Sequence, residues 1–182
     1  MGTWRRNAEI RYAYANGRNE RSSQDEPAFL NRIHEGKDMG GTIEERIALA
    51  EDLQMEGYNC AQCVTLAASD LTESERELLF RANEGFGNGM GGLSETCGAI
   101  SGGIIALGLA TCAGPDDRDS RRKTRKLAEE LVNRFREKNG ATLCIELKGG
   151  ESGEPLRLCS GCIEDAVRIT CELLQRESQA GR

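Results

Sequence analysis

The stretch Thr96-Cys97-Gly98-Ala99-Ile100-Ser101-Gly102-Gly103-Ile104-Ile105-Ala106-Leu107-Gly108-Leu109-Ala110-Thr111-Cys112-Ala113-Gly114 runs for 19 residues without a charge. That is long enough to span a bilayer. Yet it is rich in glycine, holds Ser101, Thr111 and two cysteines, and ends against Pro115. A helix that is apolar all round is ordinarily the buried helix of a bundle. The stretch therefore predicts a central, Gly-rich apolar helix over about Thr96 to Thr111, in a protein that does not enter the membrane. Gly98, Gly102 and Ala106 recur every four residues, one small face against which a neighbouring helix can come close.

The flanking sequence is also helical. Thr42 with Glu45 forms a capping box. Ile43, Ile47, Ala50 and Leu53 follow at helical spacing, and Gly57 ends the run. Asn59 with Gln62 caps a second helix, Cys60 to about Ala68, and Thr72 with Glu75 caps a third, to about Ala82. Beyond the central stretch, Asp119 or Ser120 starts a charged helix with a buried stripe of Leu127, Leu131, Val132 and Phe135, ending at Asn139-Gly140. A short helix from Thr142 carries Cys144, and a last one runs from Ser160 to about Arg176. Gly85 to Gly92 and Gly149 to Pro155 are loops. No segment alternates as a strand would. The expected class is all-α, a compact bundle of six or seven helices around the central one.

A length of 182 residues allows one domain, or one domain and a tail. The net charge of −6 argues against nucleic acid as a partner. Residues 1–38 hold the only Trp (Trp4), the only His (His34) and no cysteine, and carry seven basic and six acidic residues. They show no sustained apolar period and read as a poorly structured extension of a helical cysteine-site domain, residues 39–182. Glu35-Gly36-Lys37 can be encoded by a purine-rich run resembling a bacterial ribosome-binding site, which would make Met39 the true start. An ordinary charged tail is the other reading. The N-terminus has no apolar stretch of signal-peptide type, so a cytoplasmic location with reduced thiols is expected.

All eight cysteines lie in residues 39–182: Cys60, Cys63, Cys97, Cys112, Cys144, Cys159, Cys162 and Cys171. Cys60, Cys97, Cys144 and Cys162 each fall in the first turn of a predicted helix. Free amides and the positive end of the helix dipole favour thiolate there, the form that attacks disulfides and binds metals. Cys60-x-x-Cys63 and Cys159-x-x-Cys162 are paired motifs of the kind that hold metals or clusters, which makes Cys63 and Cys159 candidate auxiliary ligands or resolving thiols. Cys112 follows Cys97 by about 22 Å of helix, and Cys171 follows Cys162 by about 13 Å. Both are expected to be small buried hydrophobes. Without histidine in residues 39–182, a metal site would be all-Cys or Cys plus carboxylate, with Glu95 or Glu146 available. That suits zinc, an iron–sulfur cluster or Cu(I). Gly87 to Gly92 lacks the order of a phosphate-binding loop. It reads as a loop that lets backbone pass close to the cysteines.

Cys97-Gly98-Ala99-Ile100-Ser101-Gly102 matches a CGAxxG motif. With Cys60 before it, and Cys144 and Cys162 after it, the chain resembles the C_GCAxxG_C_C family of redox-active proteins from roughly Ile43 to Leu174. Members are about as long as residues 39–182, which fits a start at Met39. The resemblance implies that Cys60, Cys97, Cys144 and Cys162 are the functional thiols. One expectation is a dithiol/disulfide protein for electron transfer or redox sensing, with a redox partner and no cofactor. A second is a module in which the same four thiolates hold an iron–sulfur cluster or zinc. A helical scaffold whose cysteines only pack is the third.

Overall fold

In a computed structural model of the chain, residues 41–150 and 153–180 are described. The reading of residues 1–38 as an extension, and of Met39 as the start, lies outside them. The described residues form eight α-helical segments, a 3₁₀ turn at Glu84–Phe86 and no strand, an all-α fold. The α-helical segments are α1 (Ile43–Met55), α2 (Cys60–Ala68), α3 (Glu73–Ala82), the single turn α4 (Gly87–Met90), α5 (Gly98–Thr111), α6 (Arg118–Asn139), α7 (Cys144–Leu147) and α8 (Cys159–Ala180). No helix among the described residues is long and apolar enough to cross a membrane.

Local sequence chemistry starts three of these helices. Thr42 and Glu45 close a reciprocal capping box on α1, Asn59 and Gln62 on α2, and Thr72 and Glu75 on α3. Each box satisfies amides that the first helical turn leaves without partners. Asp117, rather than Asp119 or Ser120, caps α6, accepting from both of their amides. Gly140 ends α6 in the left-handed conformation at φ +81°.

The core gathers α1, α2, α5, α6 and α8. Leu49 and Leu53, Val64 and Leu66, Ile100 and Leu107, Leu131 and Phe135, and Ile163 and Val167 are buried in it. Leu49 takes the inward place expected of Ile43, which is half-buried. Helix α5 packs against α2, α6 and α8. The small face does what its spacing predicts. A Cβ on Gly102 would collide with the Ala61 carbonyl oxygen and lie 3.1 Å from Ala61 Cα, and one on Gly98 would lie 2.5 Å from Cys60 Sγ. The two glycines thus set how near α5 comes to the start of α2. The Thr65 hydroxyl pins this contact, at 3.1 Å from both the Gly102 carbonyl and Asn83 Oδ1.

Cys112 corrects an expectation. It is exposed, not buried. Helix α5 stops at Thr111, and Cys112 is its C-cap in extended backbone leading to the Gly114-Pro115 turn at the surface. Cys171 is buried at 4 % exposure, as expected of a packing residue.

Candidate functional site: a cluster of thiols

Four segments converge at one end of α2 and α5. Asn59 accepts from the Ala61 and Gln62 amides, and its own amide group donates to the Asn83 and Glu84 carbonyls. Gln62 donates to the Phe80 carbonyl and to Glu84 Oε2. The start of α2, and Cys60 with it, is thereby tied to the end of α3.

On the other side, the segment before α5 pairs with the segment before α7. The Cys97 amide donates to the Thr142 carbonyl at 2.8 Å, Cys144 to Glu95 at 2.9 Å and Ile145 to Leu93 at 2.8 Å. Cys97 and Cys144 are held together by backbone, not by their side chains.

The glycine stretch between Phe86 and Leu93 covers them. It is not a free loop, as its composition predicts, but contains the turn α4, in which Asn88, Gly89 and Met90 all have positive φ, at 54°, 58° and 57°. Gly89 shows why the segment must be small. A Cβ there would lie 2.5 Å from Cys144 Cβ and 2.9 Å from the Glu95 carbonyl oxygen. Backbone does pass directly over the cysteines, as read from the sequence.

Within this frame Cys97 raises the pKa of the Cys60 thiol and Cys162 raises that of Cys97, while the Cys162 thiol donates to the Arg157 carbonyl at 3.9 Å. Three cysteines from α2, the start of α5 and α8 therefore lie near enough to act on one another. Cys144, 4 % exposed, stands beside them and interacts electrostatically with Cys60 and with Cys159. Cys63 faces away, buried, with its thiol 3.6 Å from the Tyr58 carbonyl. Cys159 is exposed at the first position of α8. No group of three or more His, Cys, Asp or Glu side chains among the described residues is disposed to hold a metal ion.

At Cys60, Cys97 and Cys144 the helix starts do not favour thiolate. Burial and the neighbouring sulfurs outweigh the amides. Cys60 is pushed well above the ordinary thiol range, first by Cys97 and then by burial, against the Asn88 amide. Cys97 is pushed up to about 12, chiefly by Cys162 and partly offset by Cys60. Burial raises Cys144, with Lys148 opposing. Cys162 also differs from its expected place. Helix α8 begins at Cys159, one residue earlier than read, so the Cys162 amide is already bonded to the Leu158 carbonyl at 2.9 Å.

A consequence follows for stability. A thiol whose folded pKa is raised keeps its proton after the unfolded chain has lost its own. Its stabilisation is full below the ordinary value of 9.0 and disappears as pH climbs toward the folded value, about 12 for Cys97. For that one thiol the loss is ~1.4 kcal/mol per pH unit across the window. The urea midpoint of the reduced protein is expected to fall above pH 9, and to fall less once Cys97 is locked in a disulfide. Equal slopes for the two forms would contradict the raised value.

Sequence reading missed three neighbours of the cluster: the Asn88 amide on Cys60, Lys148 beside Cys144, and Arg157. The Arg157 side chain lies against the Gly161 backbone, where a Cβ would collide with its guanidinium. It is anchored 3.0 Å from Oδ2 of the fully buried Asp165, whose Oδ1 is 2.7 Å from Lys138. Lys148 was findable, because it follows Cys144 by four residues, one turn of helix. Asn88 and Arg157 carry no such local signal.

The described residues thus form an all-α bundle in which Cys60, Cys97 and Cys144 stand at helix starts. The family described as "Putative redox-active protein (C_GCAxxG_C_C)" matches residues 58–173, and the chain belongs to that family. Neither a curated protein nor a solved structure matches the chain.

Proposed function

We propose that the protein is a dithiol/disulfide redox protein of a reducing, cytoplasmic compartment, with Cys97 as the sulfur common to its disulfides. The observation carrying this reading is the series Cys60–Cys97–Cys162, three thiols from distant parts of the chain that act on one another's ionisation, with Cys60 Sγ packed on the Gly98 backbone next to Cys97. The oxidant is an external disulfide. Two protein thiols and one R–S–S–R give one protein disulfide and two R–SH, each leaving sulfur taking the proton that an attacking thiol gives up. Cys97 is the thiol that interacts with both of the others, so it is the one that pairs with Cys60 or Cys162.

The alternative, zinc or an iron–sulfur cluster on Cys60, Cys97, Cys144 and Cys162, needs three or four donors disposed around one point. The described residues offer no such group, which puts the dithiol reading first. Protein purified without oxygen decides between them. Metal-free, colourless protein that reversibly loses thiols in pairs on oxidation is expected. Stoichiometric iron or zinc whose removal frees the four thiols would overturn the reading.

A further inference from the structure

We infer that Cys159 is the thiol through which an external disulfide reaches the buried run of sulfurs. The inference rests on the redox reading above and adds its route.

Cys97, Cys144 and Cys162 are only 5 %, 4 % and 3 % exposed, so a disulfide in solution has no direct approach to them. Cys60 is half-buried, and its sulfur is packed against the Gly98 backbone, where a Cβ would lie 2.5 Å from it. Cys159 is exposed and opens the 22-residue helix α8. Two further observations join it to the cluster. It precedes Cys162 by three helical residues, a Cα separation of about 5 Å that a disulfide tolerates. Both cysteines belong to the same continuous helix, so its backbone fixes that separation. The turn between Cys159 and Cys162 is held in place as well. Gly161 leaves room for the Arg157 guanidinium to lie on it, and Asp165 fixes Arg157 from inside the core.

The relay then has three balanced exchanges. Cys159 sulfur attacks R–S–S–R, forming Cys159–S–S–R and releasing R–S⁻, which takes up the proton from Cys159. Cys162 sulfur attacks Cys159 Sγ, forming the Cys159–Cys162 disulfide and releasing the second R–S⁻, protonated by the hydrogen from Cys162. Cys97 sulfur attacks Cys162 Sγ, forming Cys97–Cys162 and returning Cys159 as a thiol with the proton from Cys97. Electrons leave the buried pair and reduce the external disulfide, and Cys159 is unchanged overall.

The test uses the full chain, reduced without oxygen, with glutathione disulfide as probe. Reactions are quenched by alkylation and the disulfides located by peptide mass mapping. Cys159→Ser is expected to slow formation of the Cys97 disulfide by at least about tenfold, with Cys159→Ala behaving alike. Cys112→Ser, the other exposed thiol, is expected to match wild type. Diamide, which needs no thiol–disulfide exchange, should still oxidise Cys159→Ser to the same buried disulfide. In Cys162→Ser, glutathione should be trapped on Cys159. A wild-type rate in Cys159→Ser, or glutathione trapped on Cys60 or Cys144, would overturn the relay alone. Wild type that forms no Cys97 disulfide even with diamide would overturn the redox reading, and the relay with it.

Discussion

Cys97→Ser is expected to eliminate every disulfide within the buried run, while Cys60→Ser and Cys162→Ser each leave one. The asymmetry comes from position. Cys97 interacts with both Cys60 and Cys162, so it is the thiol common to the two pairs. Serine is smaller than cysteine by little and keeps a donor and an acceptor, so the packing around a site only 5 % exposed is preserved. The Cys97 amide remains bonded to the Thr142 carbonyl, because that contact is main chain. The measurement is thiol titration and disulfide mapping before and after diamide. Wild type should lose a pair of thiols that includes Cys97. In Cys97→Ser, oxidation should stop at Cys159–Cys162, with Cys60 still free. A variant in which Cys60 and Cys162 join each other would show that Cys97 is not the shared sulfur.

Gly102→Ala should cost about 3 kcal/mol of stability, the upper end of what overpacking does. Propensity alone predicts the opposite, since alanine is favoured over glycine by about 1 kcal/mol inside a helix. The neighbours decide the sign. The added methyl would meet the Ala61 carbonyl oxygen, with Ala61 Cα and Val64 Cβ at 3.1 Å. Main-chain atoms of a helix cannot swing aside as the end of a long side chain can. Helices α2 and α5 would have to separate, stretching the Thr65 contact to Gly102 and moving Cys60 from Cys97. Gly108→Ala is the control. It lies in the same helix with nothing within 4 Å of its Cβ position, so it should be neutral or stabilising in urea unfolding. Equal losses at both positions would mean that the close approach is not what glycine 102 provides.

The parts of this molecule legible in sequence are those governed by neighbours in the chain. The pairs Thr42/Glu45, Asn59/Gln62 and Thr72/Glu75 start their helices where the capping rule puts them, because a cap is satisfied within four residues. The four-residue spacing of Gly98 and Gly102 revealed a close helix contact for the same reason, although not which helix filled it. The run of sulfurs is different. Cys97 stands 37 residues after Cys60 and 65 before Cys162, and nothing local says which of the cysteines interact. The expected thiolates failed on the same ground. Helix-start amides are a local effect, whereas burial and neighbouring sulfurs come from the assembled fold and act more strongly here. Met90 escaped notice because a non-glycine residue gives no hint of positive φ.

The turn at Asn88-Gly89-Met90 has a meaning in stereochemistry. It is a fragment of mirror-image helix set into a chain of L-residues, and such a conformation costs roughly 1–2 kcal/mol for each residue that has a Cβ. A D-amino acid at position 90 would adopt the same backbone without that cost. Chirality, which elsewhere in the bundle winds every helix one way, is locally working against the fold over Cys60 and Cys144, and the packing around those two sulfurs is what holds it there.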